Sequence, residues 1–130
     1  MKILAIRTER PIAELYIYND QKKLAEAKWQ AQRILADTVN QKLDKLLNML
    51  SFSLNEIDGI VCFEGPGSFT GLRVGMSFGN ALAYALNKPI VAHKSEDWIE
   101  KGIRDLQAGK SQKIATPYYD RPAATTLPKK

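Results

Sequence analysis

The alternation of apolar and polar positions over the first thirty residues indicates three β-strands. Residues 2–8 form a short apolar run rich in branched side chains, and residues 12–20 form a second run that ends in the polar pair Asn19 and Asp20. Apolar and polar residues alternate again over residues 22–29, after this polar turn segment. Two such runs joined by a short polar turn are typical of a hairpin. The pattern therefore predicts a three-stranded antiparallel meander.

After about residue 34 the apolar period lengthens to that of an amphipathic helix. Six apolar side chains recur at helical spacing: Leu35, Val39, Leu43, Leu46, Leu47 and Leu50. Residues 53–56 (SLNE) have the capping-box pattern and predict one short turn. The rest of the pattern predicts, in order, a buried strand over residues 57–63, a helix that ends near residue 86, a short strand over residues 90–92 and a helix over residues 96–106 capped by Ser95.

The order of these elements predicts an α/β fold. Helices connect the strands that begin near residues 3, 57 and 90, so we expect these three strands to run parallel. We therefore expect a single three-layer domain over residues 1–108, built on a mixed five-stranded sheet, and an extended C-terminal tail over residues 109–130. Three antiparallel strands followed by alternating helices and strands are the element order of the ribonuclease H-like fold.

The composition excludes several classes of protein. The chain has 130 residues, of which 45% are hydrophobic, enough to form a buried core. A single cysteine, Cys62, cannot form an internal disulfide or a cysteine-based zinc site, and one histidine, His93, leaves little for a histidine-based metal centre. No apolar run approaches the roughly 20 residues of a membrane span, and the segment after Met1 resembles a strand rather than a signal peptide. We expect a cytoplasmic protein without a metal or cofactor.

The charge of the chain is basic, with 19 Lys and Arg residues against 14 Asp and Glu residues and a net charge of +5. A basic balance can indicate nucleic-acid binding, but these basic residues are scattered along the sequence. The charge therefore allows a role near RNA without predicting one.

A glycine-rich segment lies between the predicted strand over residues 57–63 and the helix that follows it. Gly65, Gly67 and Gly71 have the spacing G-x-G-x-x-x-G. Such a loop at a helix N-terminus can bind phosphate through its backbone amides. This one lacks the lysine of a P-loop and is not the dinucleotide fingerprint. Two interpretations therefore stay open, a phosphate-binding loop and a tight structural turn.

Residues 64–91, EGPGSFTGLRVGMSFGNALAYALNKPIV, resemble the signature segment of the TsaB (YeaZ) family, in which a GPGSFTG loop precedes a helix of small residues. The resemblance extends to the opening strand, to the helix with its leucines and to the strand IDGIVCF, and it covers about residues 1–105. The signature positions in this chain are Gly65, Pro66, Gly67, Ser68, Phe69, Thr70, Gly71 and Arg73.

The resemblance implies a non-catalytic member of the actin/Hsp70/sugar-kinase superfamily. TsaB-like proteins pair with a related TsaD-like subunit and act with a TsaE-like ATPase to make threonylcarbamoyladenosine in tRNA. They also pair with themselves when alone. By this resemblance, the chain is a scaffold subunit that binds a TsaD-like protein, forms a homodimer in its absence and meets tRNA only indirectly.

The chain departs from the family pattern at two points. Family members usually have Asp-Thr at the tip of the first strand, where this chain has Arg7 and Thr8. A guanidinium group is always charged and does not ligate Mg²⁺, which argues against residual nucleotide chemistry. The chain is also shorter than family members, yet residues 117–121 (PYYDR) resemble the segment with which longer relatives end. This pattern favours a naturally short form that lacks most of the second domain.

The helix after the signature loop has two apolar sides. One set at helical spacing is Leu72, Met76, Ala83 and Leu86, and the other is Val74, Phe78, Ala81 and Ala85. Because two positions along a helix correspond to about 200° of rotation, these sets lie on nearly opposite sides. One side can pack on the sheet. The other side must be covered by a partner or, in part, by the helix over residues 35–50.

Glycines recur at every fourth position of the same helix, at Gly71, Gly75 and Gly79. In water each glycine costs roughly 1 kcal/mol of helix propensity against alanine, and close packing is the expected compensation. Together with the second apolar set, this pattern predicts a partner-binding surface made of Val74, Gly75, Phe78, Gly79, Ala81 and Ala85.

Two other functions are compatible with parts of the sequence. The glycine loop alone would suit a nucleotide-binding or ATP-hydrolysing enzyme of the same superfamily, and titration with Mg²⁺-ATP separates that enzyme from a scaffold subunit. A protease is disfavoured because the chain has one histidine and no nucleophile elbow. We interpret His93 as a turn or cap residue and Cys62 as a small core residue.

Overall fold

A five-stranded mixed sheet forms the centre of the fold. The computed structural model describes residues 1–30, 35–67, 69–112 and 115, without the side chains of residues 35–37 and 69. In chain order the strands are β1 (Lys2–Arg7), β2 (Ile12–Asn19), β3 (Lys22–Gln30), β4 (Gly59–Gly65) and β5 (Ile90–Lys94). β2 pairs antiparallel with β1 and β3, whereas β4 pairs parallel with β1 and β5, so the order is β3-β2-β1-β4-β5. The predicted mixed sheet of five strands is confirmed.

Helices cover both faces of this sheet. They are α1 (Leu35–Leu50), α2 (Phe69–Leu86) and α3 (Trp98–Gln107), and a 3₁₀ turn forms at Leu54–Glu56 as the capping box predicts. α1 packs on β2 and β3, and α2 packs on β1, β4 and β5. α3 packs on β4 and β5 from the other face, which completes the predicted three layers. Among the described residues, no helix is both long and apolar enough to cross a membrane.

The two faces of the sheet have separate apolar cores. Leu4 and Ile6 of β1 belong to the core beneath α1 and α2, whereas Ile3 and Ala5 belong to the core beneath α3. All four side chains are buried because both faces are covered. A strand covered on both faces needs apolar residues at every position, which explains why residues 3–6 form a continuous apolar run.

Several element boundaries differ from those predicted: β4 and β5 extend to Gly65 and Lys94, and the starts of β4 and α3 also differ. β4 begins at Gly59 instead of residue 57, because the preceding residue, Asp58, bonds to the start of β1: its carboxylate accepts a hydrogen bond from the Lys2 amide at 2.8 Å. α3 begins at Trp98, with Asp97 at the N-cap position. The prediction that Ser95 caps a helix from residue 96 is wrong, because Ser95 has a φ of 70° and its hydroxyl donates to the Asp97 carboxylate at 3.0 Å.

The segment after α3 returns to the sheet where the structure describes it. Gln112 forms an antiparallel bridge with Ile90 of the edge strand β5, and its amide donates to the Ile90 carbonyl at 2.7 Å. Ala115 is 2% exposed and lies in the core beneath α1 and α2. The predicted extended tail is therefore attached to the domain at these two residues. Residues 113, 114 and 116–130 lie outside the described residues.

Asn80 of α2 holds this returning segment through two hydrogen bonds. Its side-chain nitrogen donates to the Ala115 carbonyl at 3.0 Å, and the Ala115 amide donates to Asn80 Oδ1 at 2.8 Å. We expect Asn80→Ala to lower the free energy of unfolding by about 1–3 kcal/mol, because it leaves both backbone groups of a buried residue unpaired. Urea denaturation measures the change, and the exposed Asn48→Ala on α1 is the control. Equal stability of the two variants would contradict this role for Asn80.

Candidate partner interface and signature loop

The signature loop connects the end of β4 to the start of α2. Gly65 has a φ of 118°, a backbone conformation that favours glycine, and the peptide bond between Gly65 and Pro66 is cis. A Cβ at Gly67 would come within 2.6 Å of the Glu9 Cβ and closer still to its Cγ. Backbone conformation at Gly65 and close approach at Gly67 therefore account for these two glycines, as a tight structural turn requires. Ser68 lies outside the described residues.

Thr8 joins the end of β1 to the first turns of α2. The Thr8 side chain is buried, and its hydroxyl donates to the Gly71 carbonyl at 2.5 Å. A Cβ at Gly75, one turn further along α2, would overlap with Thr8 Oγ1. Gly75 thus lets the helix approach the end of β1 closely enough for the Thr8 hydrogen bond to form.

Arg7, which stands where the family pattern has an aspartate, is paired within the chain. Its Nε donates to both carboxylate oxygens of Glu9 at 3.0 Å, and its Nη2 donates to Glu9 Oε2 at 2.8 Å. The guanidinium carbon lies 3.8 Å from the centre of the Phe63 ring. Arg7 is therefore a paired residue and not a surface arginine at the strand end, because the Arg7 and Glu9 side chains are only 12% and 5% exposed.

The Arg7–Glu9 pair is one end of a longer polar network across the turn between β1 and β2. Arg10 lies 3.6 Å from Glu9 and donates to Glu14 Oε2 at 2.6 Å. The Tyr16 hydroxyl donates to Glu14 Oε1 at 2.6 Å. Burial of the ring, together with this hydrogen bond, raises the pKa of Tyr16. The network therefore alternates basic and acidic groups, so that each carboxylate has a donor beside it.

The inner side of α2 packs on the sheet as predicted. Leu72, Met76 and Ala83 are buried, and Leu86 is half-buried at the end of the helix. Met76 and Ala83 join the core beneath α1 and α2, whereas Leu72 joins the core beneath α3. The first apolar set of the helix is therefore the one that faces the domain.

The prediction that Gly75 and Gly79 contact a partner is corrected by their position. Both glycines are buried on the inner side of α2. A Cβ at Gly79 would lie 2.6 Å from Cys62 Sγ in β4, and one at Gly75 would overlap with Thr8. The close approach that glycine spacing predicts does occur, but between α2 and the chain's own sheet.

The outer side of α2 contains small residues and almost no charge. Ser77, Ala81 and Ala85 are exposed along it, and Tyr84 beside them is 89% exposed. Arg73 is the one charged residue in the 18 residues of this helix, whereas the ten residues of α3 contain four. A solvent-facing helix side usually contains several charged residues, so the scarcity of charge and the exposed tyrosine on this side are features of a protein contact.

A groove lies between α1 and α2 next to this outer side. It encloses about 480 Å³, and its lining residues are Val39, Thr70, Arg73, Val74, Ser77 and Phe78. Val74 and Phe78 are half-buried and pack against the core that α1 covers. Since Val39 of α1 lines the groove with these two residues, the alternative that α1 covers part of the second apolar set stays open for them. Ala81 and Ala85 stay exposed, and their contact with a partner stays a prediction.

Sequence patterns did not point to Tyr84 or Glu9. Tyr84 follows Ala81 by three positions and Ser77 by seven, so it shares their side of the helix, and this spacing was the available signal. Glu9 lies beyond the end of β1, and no local pattern predicts that it turns back onto Arg7 and Gly67. The approach depends on the turn between β1 and β2.

His93 and Cys62 both make contacts within the fold. His93 lies in β5, and its Nε2 is 2.6 Å from the carboxylate of Asp105 in α3, so it joins a strand to a helix instead of ending a turn. The hydrogen bond to His93 lowers the pKa of Asp105. Cys62 is buried, as expected of a core residue, and burial raises the pKa of its thiol to about 12. A thiol that stays protonated at neutral pH is a poor nucleophile.

Comparison with known proteins identifies the class of this domain. Residues 29–107 match the family model described as TsaD, tRNA N6-adenosine threonylcarbamoyltransferase. A tRNA N6-adenosine threonylcarbamoyltransferase of Rhizobium leguminosarum is 37% identical over 62 residues, which are 48% of this chain and 17% of the relative. The fold and the signature loop therefore define a TsaD-like α/β domain.

Further similarities identify the family within this class. The tRNA threonylcarbamoyladenosine biosynthesis protein TsaB of Bacillus subtilis is 30% identical over 120 residues, which are 92% of this chain and 50% of the relative. The solved structure of YeaZ from Pseudomonas aeruginosa superimposes with a TM-score of 0.66 at 26% identity, covering 72% of this chain and 43% of that one. The chain belongs to the TsaB (YeaZ) family, and the resemblance of its signature segment is confirmed. It spans half or less of the length of these relatives.

Proposed function

We propose that the chain is a non-catalytic subunit for the threonylcarbamoylation of adenosine in tRNA, and that it binds a TsaD-like protein through the outer side of α2. A TsaE-like ATPase completes the complex in this proposal, and tRNA is bound by the other subunits. The observation that supports it most is the nearly uncharged outer side of α2, with Ala81, Ala85 and Tyr84 exposed next to an apolar groove.

The shape of this surface suits helix packing. Small side chains at Ser77, Ala81 and Ala85 let the backbone of another helix approach α2 closely. Tyr84 projects from the edge of the same side and supplies the large aromatic contact that is enriched in protein interfaces. The groove lined by Val74 and Phe78 can receive an apolar side chain of the partner. In the absence of a TsaD-like protein, two copies of the chain would pair through the same surface.

Reconstitution tests this function directly. The purified chain is mixed with the TsaD-like protein of the same organism, and the complex is measured by size-exclusion chromatography with light scattering. Depletion of the chain in cells, followed by mass spectrometry of tRNA nucleosides, reports threonylcarbamoyladenosine. We expect a stable heterodimer and loss of the modified nucleoside on depletion. A pair that does not associate, with an unchanged modification level, would contradict the proposal.

The alternative function, an ATP-binding enzyme, is tested by titration of the isolated chain with Mg²⁺-ATP. We expect no binding and no hydrolysis, because the paired Arg7 guanidinium stands at the strand tip where the family pattern has an aspartate, and a guanidinium does not ligate Mg²⁺. Isothermal titration calorimetry and a phosphate-release assay measure the two quantities, with a mock purification as the control. Micromolar affinity together with turnover would favour the enzyme.

A further inference from the structure

Three consecutive residues at the end of β1 contact three different parts of the fold. Arg7 stacks on Phe63 of β4, Thr8 donates to the Gly71 carbonyl in α2, and Glu9 lies against Gly67 in the signature loop. Phe63 lies near the end of β4, Gly67 lies in the loop between β4 and α2, and Gly71 lies in the first turn of α2. The end of β1 therefore contacts the strand before the loop, the loop at Gly67 and the helix after it.

The ion pair between Arg7 and Glu9 fixes where Glu9 lies. The guanidinium binds the carboxylate in a two-pronged arrangement, with donor–acceptor distances of 2.8–3.0 Å. Such a pair is directional, so it sets the orientation of both side chains as well as their separation. Glu9 cannot leave Gly67 without breaking this pair, and Arg7 is itself held on the Phe63 ring. The carboxylate end of Glu9 is thereby anchored, and its carbon chain rests on the loop.

We propose that the Arg7–Glu9 pair is a clamp that holds the signature loop in place and, through the loop, sets the position of the first turns of α2. Arg7 and Glu9 are then positioning residues for the partner surface, and they contact no partner themselves. This second part rests on the proposed function, because Thr70 and Val74 line the groove near the start of α2. The first part concerns the isolated chain alone.

Hydrogen exchange on the isolated chain tests the clamp without any partner. The variants are Arg7→Gln, Glu9→Gln and the double variant, and the readout is amide exchange of residues 69–75, with α3 as the internal reference. We expect each single variant to speed exchange in this segment by about tenfold or more, because it breaks the buried two-pronged pair that anchors Glu9 on the loop. The double variant leaves two amides that can bond to each other, and we expect it to restore part of the protection.

Arg10→Gln is the matched control, since Arg10 also lies beside Glu9 but is half exposed. It removes the longer contact of Arg10 with Glu9 but leaves the three Arg7–Glu9 hydrogen bonds in place, so exchange of residues 69–75 should stay at the wild-type rate. Single-variant effects that simply add in the double variant would overturn the clamp, because loss of two separate packing contacts is additive whereas loss of a pair is not. Unchanged exchange in the single variants would overturn it as well.

Affinity for the TsaD-like protein tests the positioning role. We expect Arg7→Gln and Glu9→Gln to weaken binding by about tenfold, the double variant by less, and Arg10→Gln not at all. If the original chain does not bind the TsaD-like protein, the proposed function fails while the exchange result still decides the clamp. If the original chain binds and the single variants bind equally well despite faster exchange, the positioning role is overturned.

Discussion

Ala81→Glu is expected to abolish binding to the TsaD-like protein and self-association while the domain stays folded. Ala81 is exposed on the outer side of α2, so a glutamate there is solvated in the free chain and changes helix propensity by only a few tenths of a kcal/mol. In the complex, the same carboxylate would be unpaired in a dry contact at a cost of several kcal/mol. Each 1.4 kcal/mol is tenfold in affinity, so the loss should exceed about 100-fold.

Circular dichroism and light scattering on the same samples separate folding from association in this variant. Lys101→Gln on α3 is the control, because it lowers the net charge by the same one unit on the opposite face of the sheet. Its side chain is exposed and about 3.6 Å from Asp97, so little stability depends on it. An unfolded Ala81→Glu variant would mean that the faces of α2 are reversed. A folded variant that still associates would place the interface elsewhere.

Local periodicity was sufficient to predict the elements of this fold, because each strand and helix repeats its own apolar spacing. The apolar run in β1 is continuous because helices cover both faces of the sheet. The apolar pattern of α1 is one-sided because only one side of this helix packs on the sheet. The start of α3 was predicted wrongly because Ser95 is a typical capping residue. In the structure it takes a left-handed conformation that ends β5, and the helix starts three residues later.

At the candidate site, the sequence pattern predicts less than it does for the fold. The two apolar sides of α2 were visible in the sequence, but periodicity gives relative angles and does not say which side faces the sheet. Gly79 follows Met76 by three positions and precedes Ala83 by four, so its spacing placed it with the buried residues. The glycine spacing predicts that another backbone approaches α2 closely. It does not say whether that backbone belongs to a partner or to the chain's own sheet, and the prediction chose the partner.

The Arg7–Glu9 pair could not be predicted, since it depends on a turn and not on a repeating pattern. Two residues apart on a continuing strand, these side chains would share a face, but β1 ends at Arg7 and the chain bends there. The sequence identified Arg7 as a departure from the family pattern. The three-dimensional structure was needed to identify Glu9 as the partner of Arg7 and to show that Glu9 contacts Gly67. The positive charge that this departure places at the strand end is neutralised by Glu9.

Gly79→Val is expected to lower the free energy of unfolding by at least about 3 kcal/mol, at the upper end of the cost of overpacking a core. A Cβ at Gly79 would already lie 2.6 Å from Cys62 Sγ and 3.3 Å from Ile90 Cδ1, and valine adds two further methyl groups between α2 and the sheet. Ala81→Val is the matched control, because it places the same side chain two positions along the same helix, on the exposed side. Its change should stay below about 1 kcal/mol, mostly from helix propensity.

Urea denaturation of both variants, followed by fluorescence of the buried Trp98, gives the two free energies. The comparison also separates the two roles of the helix, since Gly79→Val should damage the fold, whereas Ala81→Val should damage only association. If instead Gly79→Val is as stable as the original chain and loses only its partner, the glycines face outward. The assignment of the inner side of α2 to the sheet would then be wrong.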